Sequence, residues 1–195
     1  MGKDRLEDFM NGFAAATQLL NRAGQDGFFV EYVCLATSVI DAMLRICLIL
    51  EHQIKSQTKE YPDGLLFQTD KDKIISEREI YKRTLKEKII TRFLFAQLEQ
   101  LYKRRNKIVH RYIISDITTR QVLEVGIAYE EMISAISNKT KELEARQIAL
   151  GIGMVELDSE TAESSVRSQI DEMAAKKHKD SALVQALKKK DGITH

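Results

Sequence analysis

Only one proline, Pro62, stands in 195 residues. Proline is the residue that most reliably ends a helix, so a chain this free of it can sustain helix after helix. The apolar spacing agrees. Leu6, Phe9, Phe13, Ala16 and Leu20 recur at steps of 3, 4, 3 and 4, one face of a 3.6-residue period. A first helix is expected over residues 4–22, followed by a turn at "AGQDG", 23–27. The second helix, residues 28–53, is apolar nearly all round, as a central helix is. Its polar exceptions, Glu31, Ser38, Asp41, Arg45 and His52, step by 7, 3, 4 and 7 and therefore share one stripe.

That second stretch raises the question of a membrane, but Glu31, Asp41 and Arg45 interrupt it, which favours a buried helix in a soluble bundle. The N-terminal "MGKDRLEDFMNGF" lacks an apolar run of signal type, and a cytoplasmic protein with no membrane partner is expected. Cys34 and Cys47 fall on the same helix, roughly 20 Å apart along its axis at 1.5 Å per residue. That is too far to bridge, so both read as buried small hydrophobes in a reducing compartment.

Residues 54–75 break the periodicity. "YPDG" at 61–64 is a turn signal, and the segment reads as an exposed insertion with a short extended piece at 65–68. Helical spacing resumes over 76–88, and a long helix follows over 89–113. Thr118 and Gln121 stand at capping-box spacing. After them Val122, Val125, Tyr129, Met132, Ile136 and Leu143 step by 3, 4, 3, 4 and 7, carrying a last helix to about residue 150, where "GIG" stops it. Residues 1–150 thus form one all-α domain, a bundle of four to five helices with an inserted loop. Residues 151–195 read as a charged, partly helical C-terminal tail, a solvated segment loosely attached, in which "SALVQALKKK" at 181–190 has amphipathic spacing.

Within the long helix, Leu94, Leu98, Leu101, Arg105, Ile108 and Tyr112 step by 4, 3, 4, 3 and 4 and form a single seam. An arginine has no ordinary place in it. Desolvating a guanidinium costs several kcal/mol unless an anion compensates, so Arg105 needs a negative group in front of it. Two sources are open: a carboxylate of the second helix, Asp41 or Glu31, or an external phosphate gripped bidentately. His110 lies about 140° around the helix from Arg105, on the side of Asn106. The two side chains diverge unless the helix ends nearby or a second chain packs across the seam. Lys103, Arg104, Lys107 and Arg111 lie towards solvent. From residue 82 to 111 there are ten Lys or Arg against Glu87 and Glu99, a local excess of +8 in a chain of net charge +1. Such a run is usually a solvated face; here it flanks the embedded arginine, which suits a polyanion such as RNA.

"RNKIVHRY" resembles the R-x-x-x-x-H signature of the HEPN superfamily of helical nucleic-acid-cleaving and nucleotide-binding domains, whose first variable position is often asparagine. Arg105, His110 and Tyr112 also match the R-x-x-x-x-H-x-Y form of HEPN toxins paired with nucleotidyltransferase antitoxins. The likeness covers roughly residues 4–150, and the motif falls, as in that family, near the end of a long helix. It implies a HEPN-like bundle acting as a homodimer, an antiviral defence effector or toxin that cuts RNA without a metal or cofactor in a cleft between two subunits. Arg105 would hold the scissile phosphate, and His110 would act as general acid or base. Asn106 would orient His110 or donate to the phosphate, and Tyr112 would be the residue an antitoxin modifies. Asp41, Arg45 and Glu31 would support the site. The alternative is a non-catalytic HEPN-like module that binds nucleotide or RNA, or dimerises. No Cys/His cluster or carboxylate pair at ligand spacing points to a metal.

Overall fold

The computed structural model describes residues 2–62, 64–66, 72–152 and 171–177. Among these the chain is helical, with α1 Gly2–Asp26, α2 Phe29–Ser56, α3 Glu77–Lys86, α4 Arg92–Arg111 and α5 Thr119–Ala149, and a short α6 at 171–177. No strand occurs among the described residues. The all-α expectation holds.

α2 is the axis of the bundle and packs against each of α1, α3, α4 and α5. This four-sided packing explains why its sequence is apolar all round. Val33, Ala36, Ile40, Leu44 and Cys47 are fully enclosed. α2 is long and apolar enough to cross a membrane, yet 67% of its most apolar window is buried inside the bundle. Tyr81 of α3, Leu98 of α4 and Tyr129, Ile136 and Leu143 of α5 complete the core with essentially no exposed surface.

Local signals set most helix ends. Ser76, Thr91 and Thr118 each accept a hydrogen bond from the backbone three residues on, and Thr118 with Gln121 forms the full capping box. These caps explain why α3 and α4 start at residues 77 and 92 rather than at 76 and 89. Ile89 and Ile90 instead sit buried in the connection, after Lys88 in a left-handed conformation. The expected turn at 23–27 shrinks to Gly27, which takes φ +75. Ala23 is 2% exposed, and its burial carries α1 one turn further. Beside it Gly24 and, from α5, Gly126 flank the ring of Tyr32, which a Cβ on Gly24 would meet at 3.2 Å.

The insertion is shorter and better anchored than its sequence suggests. Gln53 and Ile54 are buried, so α2 continues to Ser56 and the helix breaks at Gln57. Leu65 and Leu66 are also buried, and residues 64–66 form a turn and bend rather than an extended piece; residues 67–68 lie outside the described set. The tail is likewise tied down where it is described. Ala174 of α6 is fully buried against Ala14 and Ala15 of α1. Gln18 donates to Asp171 at 3.3 Å, and Lys176 pairs with Glu7 at 3.6 Å. The 181–190 segment lies outside the described residues. Of the two free cysteines Cys47 is buried, whereas Cys34 is exposed on the Glu31 and Ser38 side of α2, contrary to the expectation that both are core residues.

Candidate functional site

The seam of α4 is where periodicity puts it. Leu98, Leu101 and Ile108 are buried, and the Arg105 side chain, 19% exposed, lies between the last two. Tyr112 follows as the C-cap, half open to solvent, its hydroxyl 3.3 Å from Thr119 Oγ1.

The anion in front of Arg105 is neither Asp41 nor Glu31. It is Glu77, the first residue of α3, whose Oε2 accepts from Arg105 Nη2 while its Oε1 accepts from the Tyr81 hydroxyl. Both members of the pair are mostly enclosed, at 19% and 14% side-chain exposure. Burial pushes the Glu77 carboxyl above its ordinary range against the pull of Tyr81 and Arg105, and the nearby charges of Asp41 and Glu99 push the same way. The guanidinium carbon lies 5.0 Å from the centroid of the Tyr102 ring, within cation–π range. Arg105 also sits beside the buried Tyr129 hydroxyl and draws its pKa down against desolvation. Its own Nε is enclosed and donates to nothing. Beyond this cluster Arg78 grips Glu99 through two hydrogen bonds of 2.8 and 2.6 Å and lies over the same Tyr102 ring.

Asp41 and Arg45, expected to support the site, hold the insertion instead. Arg45 Nε donates to Asp41 Oδ2 at 2.6 Å. Its other nitrogens reach the backbone carbonyls of Gly64 (3.3 Å), Leu65 (3.5 Å) and Ile75 (2.9 Å). Ile75 lies two residues before Glu77, so Arg45 fixes the point from which α3 departs. Burial outweighs Arg45 and raises the Asp41 pKa. Glu31 is exposed near Cys34, whose thiol feels both Glu31 and Arg105.

His110 is exposed on the last turn of α4, and Asn106, one turn earlier, is half-buried. Lys103, Arg104, Lys107 and Arg111 are all exposed; Lys107 lies 3.9 Å from the exposed Asp116, and Lys103 acts on the Glu99 carboxylate. The same end of the helix carries open apolar groups: Val109 (40%), Ile113 (95%) and Ile114 (79%). The chain therefore joins a rooted arginine to an open, basic and partly apolar helix end. Among the described residues no three His, Cys, Asp or Glu side chains cluster as metal ligands would.

Sequence periodicity found Arg105 but missed Glu77, Tyr81, Tyr102 and Tyr129. The polar stripe of α2 drew attention to Asp41, while Glu77 stands 28 residues before Arg105 at the start of a different helix. The available signal was the i, i+4 pair Glu77–Tyr81. No protein-family model, curated protein or solved structure matches this chain. The fold and site define an all-α bundle with an arginine set into its core seam, and the function must be argued from that arrangement.

Proposed function

We propose that this chain is an RNA-cleaving enzyme of HEPN type, working as a homodimer without a metal, as a toxin or antiviral defence effector. The observation that carries the reading is the division of labour along α4: Arg105 is rooted in the bundle while His110 stands open five residues further on, among four exposed cations. A rooted guanidinium loses little entropy on meeting a phosphate and stabilises charge that develops there. An open imidazole can exchange protons with a ribose hydroxyl or a leaving oxygen. Arg105 and His110 point apart on one helix, so a complete site takes each from a different subunit. The exposed Val109, Ile113 and Ile114 supply an apolar surface for that second copy. Asn106 orients His110, and the half-open Tyr112 is accessible to a modifying nucleotidyltransferase antitoxin.

The test is cleavage of RNA in EDTA by the wild-type protein, Arg105→Ala and His110→Ala, each verified as folded by circular dichroism. Wild-type activity lost in both variants is expected. Equal activity, or equal inactivity, in all three sinks the reading.

The Glu77 pair favours a second reading, a non-catalytic HEPN-like module that binds RNA or nucleotide or dimerises. A guanidinium already neutralised by a carboxylate serves packing and docking without chemistry. It predicts RNA or nucleotide binding that Arg105→Ala abolishes, with no product formed.

A further inference from the structure

We propose that Glu77 occupies the phosphate seat of Arg105 in the free protein, and that an RNA phosphate binds there by displacing this carboxylate. The inference rests on the proposed role of Arg105 and assigns its regulation to a residue outside the motif. The geometry leaves few other routes. Nη2 is engaged by Glu77, and Nε is enclosed and closed to solvent. The Tyr102 ring covers the guanidinium at 5.0 Å. With Nε enclosed, a phosphate that grips Arg105 through two nitrogens must take Nη2, where Glu77 already stands. A carboxylate and a phosphate are alike in offering paired oxygens to a planar guanidinium, so one substitutes for the other.

Glu77 is also poised to give way. It is the first residue of α3, next to a loop, and not in the middle of a helix. Around it stand Tyr81 of its own helix, Asp41 of α2, Arg105 and Glu99 of α4 and Tyr129 of α5. Two of these, Asp41 and Glu99, are acids that disfavour its charge, and burial adds to them. The carboxylate is thus held mainly by Arg105 and the Tyr81 hydroxyl. Once a phosphate takes Arg105, Tyr81 remains as a hydrogen-bond partner, so the displaced group is not left bare.

The consequence is a salt signature. Where Glu77 already neutralises Arg105, a phosphate at that site releases no counterion. Where Glu77 is replaced by neutral Gln, the contact counts as a new one.

The experiment measures binding of a labelled mixed-sequence single-stranded RNA across a salt series. A His110→Ala background keeps the RNA intact, and Glu77→Gln, Glu77→Asp and Arg105→Ala are compared, with thermal melts as a folding control. Glu77→Gln is expected to bind about tenfold tighter, within the usual range of coupling between sites. Its salt dependence should steepen by about 0.7 in log K against log salt, one phosphate contact to a single strand. Glu77→Asp, withdrawn by one methylene, is expected to tighten binding by a smaller factor, and it carries the test should the Gln variant not fold. Unchanged or weaker binding with an unchanged slope in both Glu77 variants, while Arg105→Ala loses affinity, overturns the displacement and leaves Glu77 as a positioning residue. Equal binding by wild type and Arg105→Ala overturns the phosphate role of Arg105 itself, and with it both this inference and the reading beneath it.

Discussion

Two arginines sit in the interior of this bundle, and they are used differently. Arg45 is 7% exposed, and all three of its guanidinium nitrogens are engaged by Asp41 and three backbone carbonyls. It is a closed structural knot that holds the insertion to α2. Arg105 has a carboxylate on one amino group, an aromatic ring against its face and an enclosed Nε with nothing to donate to. A buried donor left without an acceptor is costly, and few such groups persist in folded proteins. Saturation marks Arg45 as architecture; incomplete pairing and a side chain still 19% exposed mark Arg105 as the arginine a ligand can reach.

The sharpest way to break this contrast is to remove each arginine in turn. Arg45→Ala strands the buried Asp41 and three carbonyls, and is expected to cost about 3–5 kcal/mol in urea unfolding. Arg105→Ala leaves Glu77 still bonded to Tyr81 and able to take a proton, so its cost should be smaller, about 2 kcal/mol. A larger loss for Arg105→Ala than for Arg45→Ala would reverse the assignment.

The acids should separate next by pH. Burial raises both Asp41 and Glu77, so the folded state holds protons that the unfolded state has released. Stability from these groups therefore rises as pH falls through their raised folded values towards the unfolded carboxylate range, and is lost as pH climbs back. Melting temperature measured against pH should lose part of that slope in Asp41→Asn and in Glu77→Gln. A slope of opposite sign that both substitutions abolish would mean that the arginines outweigh burial.

The smallest effect belongs to the exposed strip. Lys107→Ala should change stability by no more than about 0.5 kcal/mol and reduce the salt slope of RNA binding by about 0.7. A substantial loss of melting temperature there would show that the strip is structural.

What the sequence revealed follows the range of each signal. The Thr118–Gln121 box and the α4 seam are written in neighbouring residues, and both appear as expected. The break at 23–27 was misplaced because glycines at 24 and 27 read as a turn, while Ala23 packs well enough to continue the helix. The insertion looked exposed because Arg45, which binds its backbone, lies 19 to 30 residues away. For Arg105 the need for an anion was legible from burial alone. Its identity was not, since the choice between Asp41 and Glu77 depends on how α3 crosses α4. That is set by the loop, and no spacing in the chain encodes it.

One contact has a mechanical meaning of its own. Gln147 Nε2 donates to Gln53 Oε1 at 2.6 Å, joining the ends of α5 and α2 in the interior, 94 residues apart in the chain. Gln53 also donates to the carbonyls of Lys59 and Glu60. Apolar side chains tolerate sliding; a hydrogen bond between two short amides does not. A slip of α5 by one residue, about 1.5 Å along its axis, would part the two glutamines. The pair therefore works as a vernier for the two longest helices and sets their alignment along the axis to within a fraction of a turn.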